Sequence, residues 1–394
     1  MAPQPMKRLH SLDALRAAMM LLGLVLHSAV SYVTVPLGAD WPYQDPQTST
    51  LADLLVFIIH LFRMPTFFVM AGFFAAFLYY REGRAGFMAH RTRRVLLPLV
   101  IGWLVIFPPV RAGFVFANSG GGAAGLDQAM AAFVSSPYAN AALAHLWFLY
   151  FLAIFCFGAC LVVPLVERLP TSLRARLVDT YGAFAPRLQG CLGLALVSAA
   201  TMLPMSKPAL DTSLTFVPNM WVLLAYTVFF MYGWLLFLRQ DVIASFARSP
   251  WLYLAAGMGV SMVYVFVLVA HPFGFGPLYQ AVGVMLGGLA MWLLIYAVTG
   301  LFVRYFEQPR PLQRYLSDAS YWMYLVHLPF VIWFQGAMAP WPVSPMLKTA
   351  IVLAGITVVT LVTYHYFVRA TPIGAFLNGR RFERALPQLA TGPA

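Results

Sequence analysis

His27 stands deep within the first long apolar run of the chain, eleven residues after Arg16, with Asp13 three residues before that arginine. Eleven helical residues make about three turns and roughly 16 Å, so Arg16 and His27 share a face. Ionisable groups inside a membrane helix cost about 2.5–3.5 kcal/mol each on insertion scales, so each needs a partner or a task. A single intramembrane histidine is often only a hydrogen bonder between helices. A stripe of Asp, Arg and His is harder to explain by packing. Neutral imidazole is a suitable general base near pH 7, and it can also carry a group covalently.

A second set lies in the run Ile58-Ile-His60-Leu-Phe-Arg63-Met-Pro65, where His60 and Arg63 are neighbours on one helix face. His27 lies about 22 Å from the side its segment enters, and His60 about 13 Å from the opposite side. The two histidines therefore reach similar depth if their helices pack together. Either they form a polar network that holds two helices in register, or they line a polar chamber within the bilayer. Arg91, Arg93 and Arg94 cluster just before the next apolar run. Such clusters ordinarily set topology and contact headgroups. Two arginines at i and i+3 also make a bidentate clamp for the phosphates of a donor. Further along, His145-Leu-Trp147 opens one span, and Tyr324-Leu-Val-His327 puts a third histidine in mid-membrane. Aromatic belts are ordinary, so Trp147 means little alone. His365 reads as structural, and His10, His90 and His271 carry no signal.

The elements that must position these groups follow from composition. Of 394 residues, 61% are hydrophobic and 10% charged, whereas soluble domains carry about 25% charged residues. The expected fold class is an all-α integral membrane protein. About ten runs approach the length needed to cross a core of about 30 Å: roughly 12–35, 51–80, 95–117, 144–167, 190–206, 220–238, 250–271, 275–303, 319–339 and 346–370. The fifth is the shortest, and Pro65 offers a kink in the second. The net charge of +12 is spread as short clusters between apolar runs. That is the pattern of membrane orientation and not the basic face that nucleic acid requires. Lys7 and Arg8, the 81–94 cluster and the arginines of alternate loops fall on one side, so both termini are expected in the cytoplasm. The first run is too long and too charged for a cleaved signal peptide. Residues 1–370 read as a single membrane domain and 371–394 as a loose cytoplasmic tail, with 118–124 a flexible outer loop. Cys156, Cys160 and Cys191 lie in apolar segments and read as packing residues, and no metal site is expected.

The pattern resembles the membrane-bound acyltransferase 3 family over nearly the whole chain. The matching marks are Arg16 and His27 with ten residues between them in the first span, and Arg91-x-x-Arg94 before the third. Within that family it is most similar to the glucan succinyltransferases, through His60-x-Phe-Arg63-Met-x-x-Phe-Phe-Val, Arg94-Val-x-x-Pro98, His145-Leu-Trp147-Phe-Leu and Tyr324-Leu-Val-His327. The resemblance implies a multi-pass protein of the bacterial inner membrane. It would transfer an acyl group from a cytosolic acyl-CoA (succinyl-CoA or acetyl-CoA) to a sugar hydroxyl of a periplasmic glucan, with no permanently bound cofactor. In that reading His27 is the base or the acyl carrier, His60 and Arg63 stabilise the oxyanion, and Asp13 orients Arg16 toward the donor. Arg91, Arg93 and Arg94 hold the donor phosphates, while His145, Trp147, Tyr324 and His327 line the acceptor tunnel. Two rivals stand beside it: acetylation of another envelope glycan, and a transporter or flippase, since buried His, Asp and Arg also build relays and substrate paths.

Overall fold

The computed structural model describes residues 10–308 and 310–384. Lys7 and Arg8, expected to flank the first span, lie outside the described residues, as do residues 385–394. Every regular element among the described residues is a helix. A chain this apolar must satisfy its backbone polar groups within each segment, and a helix does so.

In chain order the helices are α1 His10–Ala29, α2 Thr50–Arg91, α3 Leu97–Asn118, α4 Gly122–Ser135, α5 Trp147–Glu167, α6 Thr171–Phe184 and α7 Leu188–Met202. They continue with α8 Met220–Leu238, α9 Pro250–Ala270, α10 Pro277–Tyr305, α11 Pro311–Met338, α12 Pro345–Thr363 and α13 Pro372–Asn378. Seven helical segments are long and apolar enough to cross a membrane, or eight if the bent pair α6 and α7 counts as one. Ten were expected, and the difference has three sources. First, 50–118 runs as one helical segment of 69 residues, about 100 Å of helix and far more than one crossing. Second, α7 has only 15 residues, about 22 Å, and meets α6 at a bend of 110°. Third, α11 is long enough but too polar, with Ser317, Asp318, Ser320, His327 and Gln335 spread along it. That polarity is the first structural hint that α11 belongs to the site.

Several local expectations are corrected. Helix α2 passes through Pro65, and its non-helical residue is Gly83, at φ 70°, a conformation glycine adopts without Cβ strain. Residues 118–124 are a tight glycine turn leading straight into α4, which packs on α3. The segment after residue 370 begins with α13, which packs against the turn that carries Arg93 and Arg94. The three cysteines are free and buried, as expected of packing residues.

The bundle is held by close helix contact. A Cβ on Gly72 of α2 would stand 1.9 Å from the Phe230 carbonyl oxygen of α8, and one on Gly233 would stand 1.9 Å from that of Val69. Only glycine at both positions lets the two backbones meet, the usual small-residue device of membrane helices. Helix α1 packs against α2, α11 and α12, which brings its His27 into the interior of the bundle while Arg16 stays partly exposed at its other end.

Candidate active site

Three histidines from three separate helical segments converge on one cavity. His27 of α1, His145 before α5 and His327 of α11 line it with Arg63, Tyr324, Trp147 and a soft apolar wall that includes Met19, Met64 and Phe148. Its free volume is about 30 Å³, room for a water or two.

The hydrogen bonds fix the tautomers. His327 Nδ1 lies 2.7 Å from the Tyr324 carbonyl oxygen. A carbonyl only accepts, so this nitrogen carries the proton, and Nε2 of neutral His327 is an acceptor. His27 Nδ1 stands 2.8 Å from that Nε2, so it donates. The remaining nitrogen of His27, Nε2, therefore keeps its lone pair. This is how a second group fixes the basic nitrogen of a catalytic histidine. The same logic applies to His145, whose Nε2 donates to the Leu325 carbonyl at 3.0 Å. Its Nδ1 is then an acceptor, and it is buried with no partner.

Arg63 is the charge of the cavity. Its Nη2 meets only the Met64 sulfur, at 3.3 Å, and its Nε is buried without a partner. The guanidinium lies against the α1 backbone, where a Cβ on Gly23 would be 2.3 Å from Nη1. Gly23 is one turn before His27, so Arg63 and His27 address the same stretch of α1.

His60 does not join them. It is exposed on α2, with Arg63 and Asp211 as its charged neighbours, and it does not line the cavity. Helices α1 and α2 pack as anticipated, but the ring that meets His27 is that of His327. His60 shares a helix face with Arg63, but its ring meets the Leu210 backbone beside Asp211 and leaves the cavity to Arg63.

At the arginine-rich end, Asp13 stands 3.7 Å from Arg16. Arg16 also lies over the Phe74 ring, 5.2 Å from its centre, and Arg91 donates to the Phe74 carbonyl at 3.3 Å. Phe74 thus brings Arg16 and Arg91 to one place. Arg94 points elsewhere: its Nη1 donates to the carbonyls of Ala375 at 2.8 Å and Phe376 at 2.5 Å, at the end of α13. Cations suit this helix end because its last carbonyls lack partners. Arg94 lies within a π-helical turn over Thr92–Leu96 that begins just after Arg91, and the two arginines bond different partners, so they do not form one clamp. Arg93 within it is exposed. His365, outside the cavity, bonds Tyr315 at 3.0 Å.

A family model described as an acyltransferase domain matches residues 9–365. The chain belongs to the membrane-bound acyltransferase 3 family. Among curated proteins it is similar to "Glucans biosynthesis protein C" of Salmonella schwarzengrund (strain CVM19633), 23% identical over 96% of this chain and 97% of the relative. The proteins of the same name from Salmonella typhi and Salmonella typhimurium (strain LT2) match at the same identity and coverage. No solved structure matches. The chain is a multi-pass, all-helical member of this acyltransferase family.

In this acyltransferase the surroundings of His27 include residues that sequence reasoning passed over. Trp41, in the segment between α1 and α2, stacks on the His27 ring at 5.6 Å and 6°. Its Nε1 donates to Ser31 Oγ at 2.7 Å, and Ser31 donates to Gln335 Oε1 at 2.8 Å. Gln335 in turn donates to the His27 carbonyl at 2.9 Å. The segment is anchored by Asp45, whose backbone donates to Ser31 and whose two carboxylate oxygens each accept from Lys348 at 3.0 Å, with both side chains fully buried. Gln335, a polar residue in mid-run, was a signal available in the sequence. Trp41 and Asp45 lie in a polar connecting stretch and gave none.

Proposed function

We propose that this protein transfers an acyl group, succinyl in the first instance, from a cytosolic acyl-CoA to a hydroxyl of a periplasmic glucan across the bacterial inner membrane. The observation that carries the reading is the tautomer of His27, whose Nε2 keeps a free lone pair while the residue lines a cavity that it shares with a cation. Its family membership supports acyl transfer, and the name of its curated relatives supports a glucan acceptor. Both termini lie in the cytoplasm in this reading, and the arginine-rich end faces the donor. Arg16 and Arg91, gathered at Phe74, hold the phosphates of coenzyme A, and the thioester reaches toward His27. The glucan hydroxyl enters from the opposite end, and a neighbouring hydroxyl of the same sugar aligns it by donating a hydrogen bond to the free Nδ1 of His145.

His27 Nε2 takes the hydroxyl proton as the oxygen attacks the thioester carbonyl. The carbon–oxygen bond forms, the carbon–sulfur bond breaks, and the departing thiolate recovers the proton from His27. His327 stays neutral throughout, and accepts the hydrogen bond that keeps His27 in its reactive tautomer.

The test uses the purified full chain in nanodiscs, with thiol release followed from succinyl-CoA and from acetyl-CoA, with and without a linear or cyclic glucan. Acceptor-stimulated release is expected, falling by about 10³-fold or more in His27→Ala. Release that ignores the glucan, or that survives the substitution, would overturn the assignment.

A further inference from the structure

The cation of the cavity has no acid to neutralise it. Among the described residues Arg63 makes no ion pair. Its only hydrogen-bond acceptor is a thioether sulfur, and its Nε is buried and bare. A guanidinium carries five donors in a planar fork matched to a carboxylate. Placing that fork in a water-poor cavity without an anion is unfavourable, and the arrangement makes physical sense if the anion arrives with the substrate.

Three substrate groups reach the site in the reaction proposed above, on which this inference rests, and the oxyanion formed during attack is too transient to neutralise Arg63 in the resting complex. The coenzyme A phosphates belong to the arginine-rich end: Arg16 lies seven residues before Gly23, about 10 Å along α1. A glucan hydroxyl is neutral and needs no guanidinium. What remains is the acyl group itself. Gly23, against which Arg63 Nη1 rests, is one turn from His27, about 6 Å of rise. In a four-carbon diacid the free carboxylate stands about 4 Å from the reacting carbonyl, two methylenes away. With a hydrogen bond at the guanidinium, the two spacings match. The neighbouring Met19, Met20 and Met64 supply an apolar, adaptable sleeve for the methylenes.

We propose that Arg63 selects the acyl group by pairing with its terminal carboxylate, making the cavity specific for the thioester of a four-carbon dicarboxylic acid. Arg63 is then a specificity-determining residue and not an oxyanion donor. Gly23 is a positioning residue, required for the guanidinium to lie against α1.

The experiment compares succinyl-CoA with butyryl-CoA, which has the same carbon count and no carboxylate, as ligands and as donors. Wild type, Arg63→Met and Arg63→Lys are used as full chains in nanodiscs, each checked for a monodisperse profile. Wild type is expected to favour succinyl-CoA by about 100-fold in kcat/KM, because a site built for a polar group rejects the analogue that lacks it. Arg63→Met is expected to lose that preference by losing succinyl transfer alone, with butyryl transfer changed less than about threefold. Arg63→Lys, a cation without the fork, falls between. Equal loss with both donors would mean that Arg63 serves the oxyanion, and overturns the proposal. So would a succinyl preference that survives in Arg63→Met, or wild type binding neither donor. Equilibrium binding separates this outcome from the wider reading. Selective binding of succinyl-CoA that depends on Arg63, with no glucan-stimulated thiol release, would sustain the carboxylate contact and remove the glucan acceptor.

Discussion

Two polar clusters sit on either side of the His27 ring, and they are built on opposite terms. On one side, Ser31, Trp41, Asp45, Gln335 and Lys348 form a closed network. Both oxygens of Asp45 are used, and Gln335 donates to the carbonyls of His27 and Ser28 while accepting from Ser31. On the other side, Arg63 Nε and His145 Nδ1 are buried and bare. Buried polar groups in folded proteins are nearly always satisfied, and a fully satisfied network fixes geometry. The closed cluster is a frame that holds α1, α11, α12 and the 33–49 segment in one arrangement. The open cluster keeps hydrogen-bonding capacity that no described residue uses. Stability and chemistry have been separated across a single imidazole.

That separation can be broken from either side, and the largest effect belongs to the frame. Lys348→Met leaves Asp45 charged and buried, which is expected to cost about 3–5 kcal/mol. Thermal unfolding in detergent reads this loss. The double variant Asp45→Leu with Lys348→Met should recover most of it, since an apolar pair of similar volume replaces a desolvated ion pair. A double variant as unstable as the single one would show that the ion pair does not carry the frame. The opposite pattern is expected in the cavity: Arg63→Met should leave thermal stability unchanged or raise it, because it removes an uncompensated charge.

The next effect lies on the relay. His327→Ala removes the acceptor that fixes the His27 tautomer, and kcat should fall by about 100-fold with KM little changed. An unchanged kcat would show that the hydrogen bond between the two rings has no part in the reaction. The smallest effect belongs to the stacking lid. Trp41→Ala removes one ring-on-ring contact, about 0.5–1.5 kcal/mol, or up to roughly tenfold. Because Trp41 covers His27 from the side opposite the arginine-rich end, the change should appear in the KM for glucan and not for the acyl donor. A shift in the donor KM alone would place Trp41 on the other path.

Much of this was legible in the sequence. Composition alone requires helices in a membrane, because an apolar chain has no other way to satisfy its backbone. The Arg16-to-His27 spacing on one helix is a local matter of periodicity, and α1 carries it as a continuous helix. Asp13 meets Arg16 because they are three residues apart. Local spacing also suggested that Arg91 and Arg94 act together, and here it misled. The π-helical turn that holds Arg94 shifts the α-helical register just after Arg91, and the helix after residue 371 takes Arg94 for itself.

What the sequence could not decide is which distant groups meet. His27 and His327 are 300 residues apart, and their hydrogen bond depends on how α1 settles against α11. His60 shares a helix face with Arg63, yet the 210–211 segment takes its ring and only Arg63 reaches the cavity. The sequence by itself determined the solvent of this protein, its helices and the residue types able to do chemistry, since these follow from hydrophobicity and local period. Only the tertiary structure decided which nitrogen of His27 is free, which cation lacks a partner and which loop covers the site. Those depend on contacts between segments that no local pattern encodes.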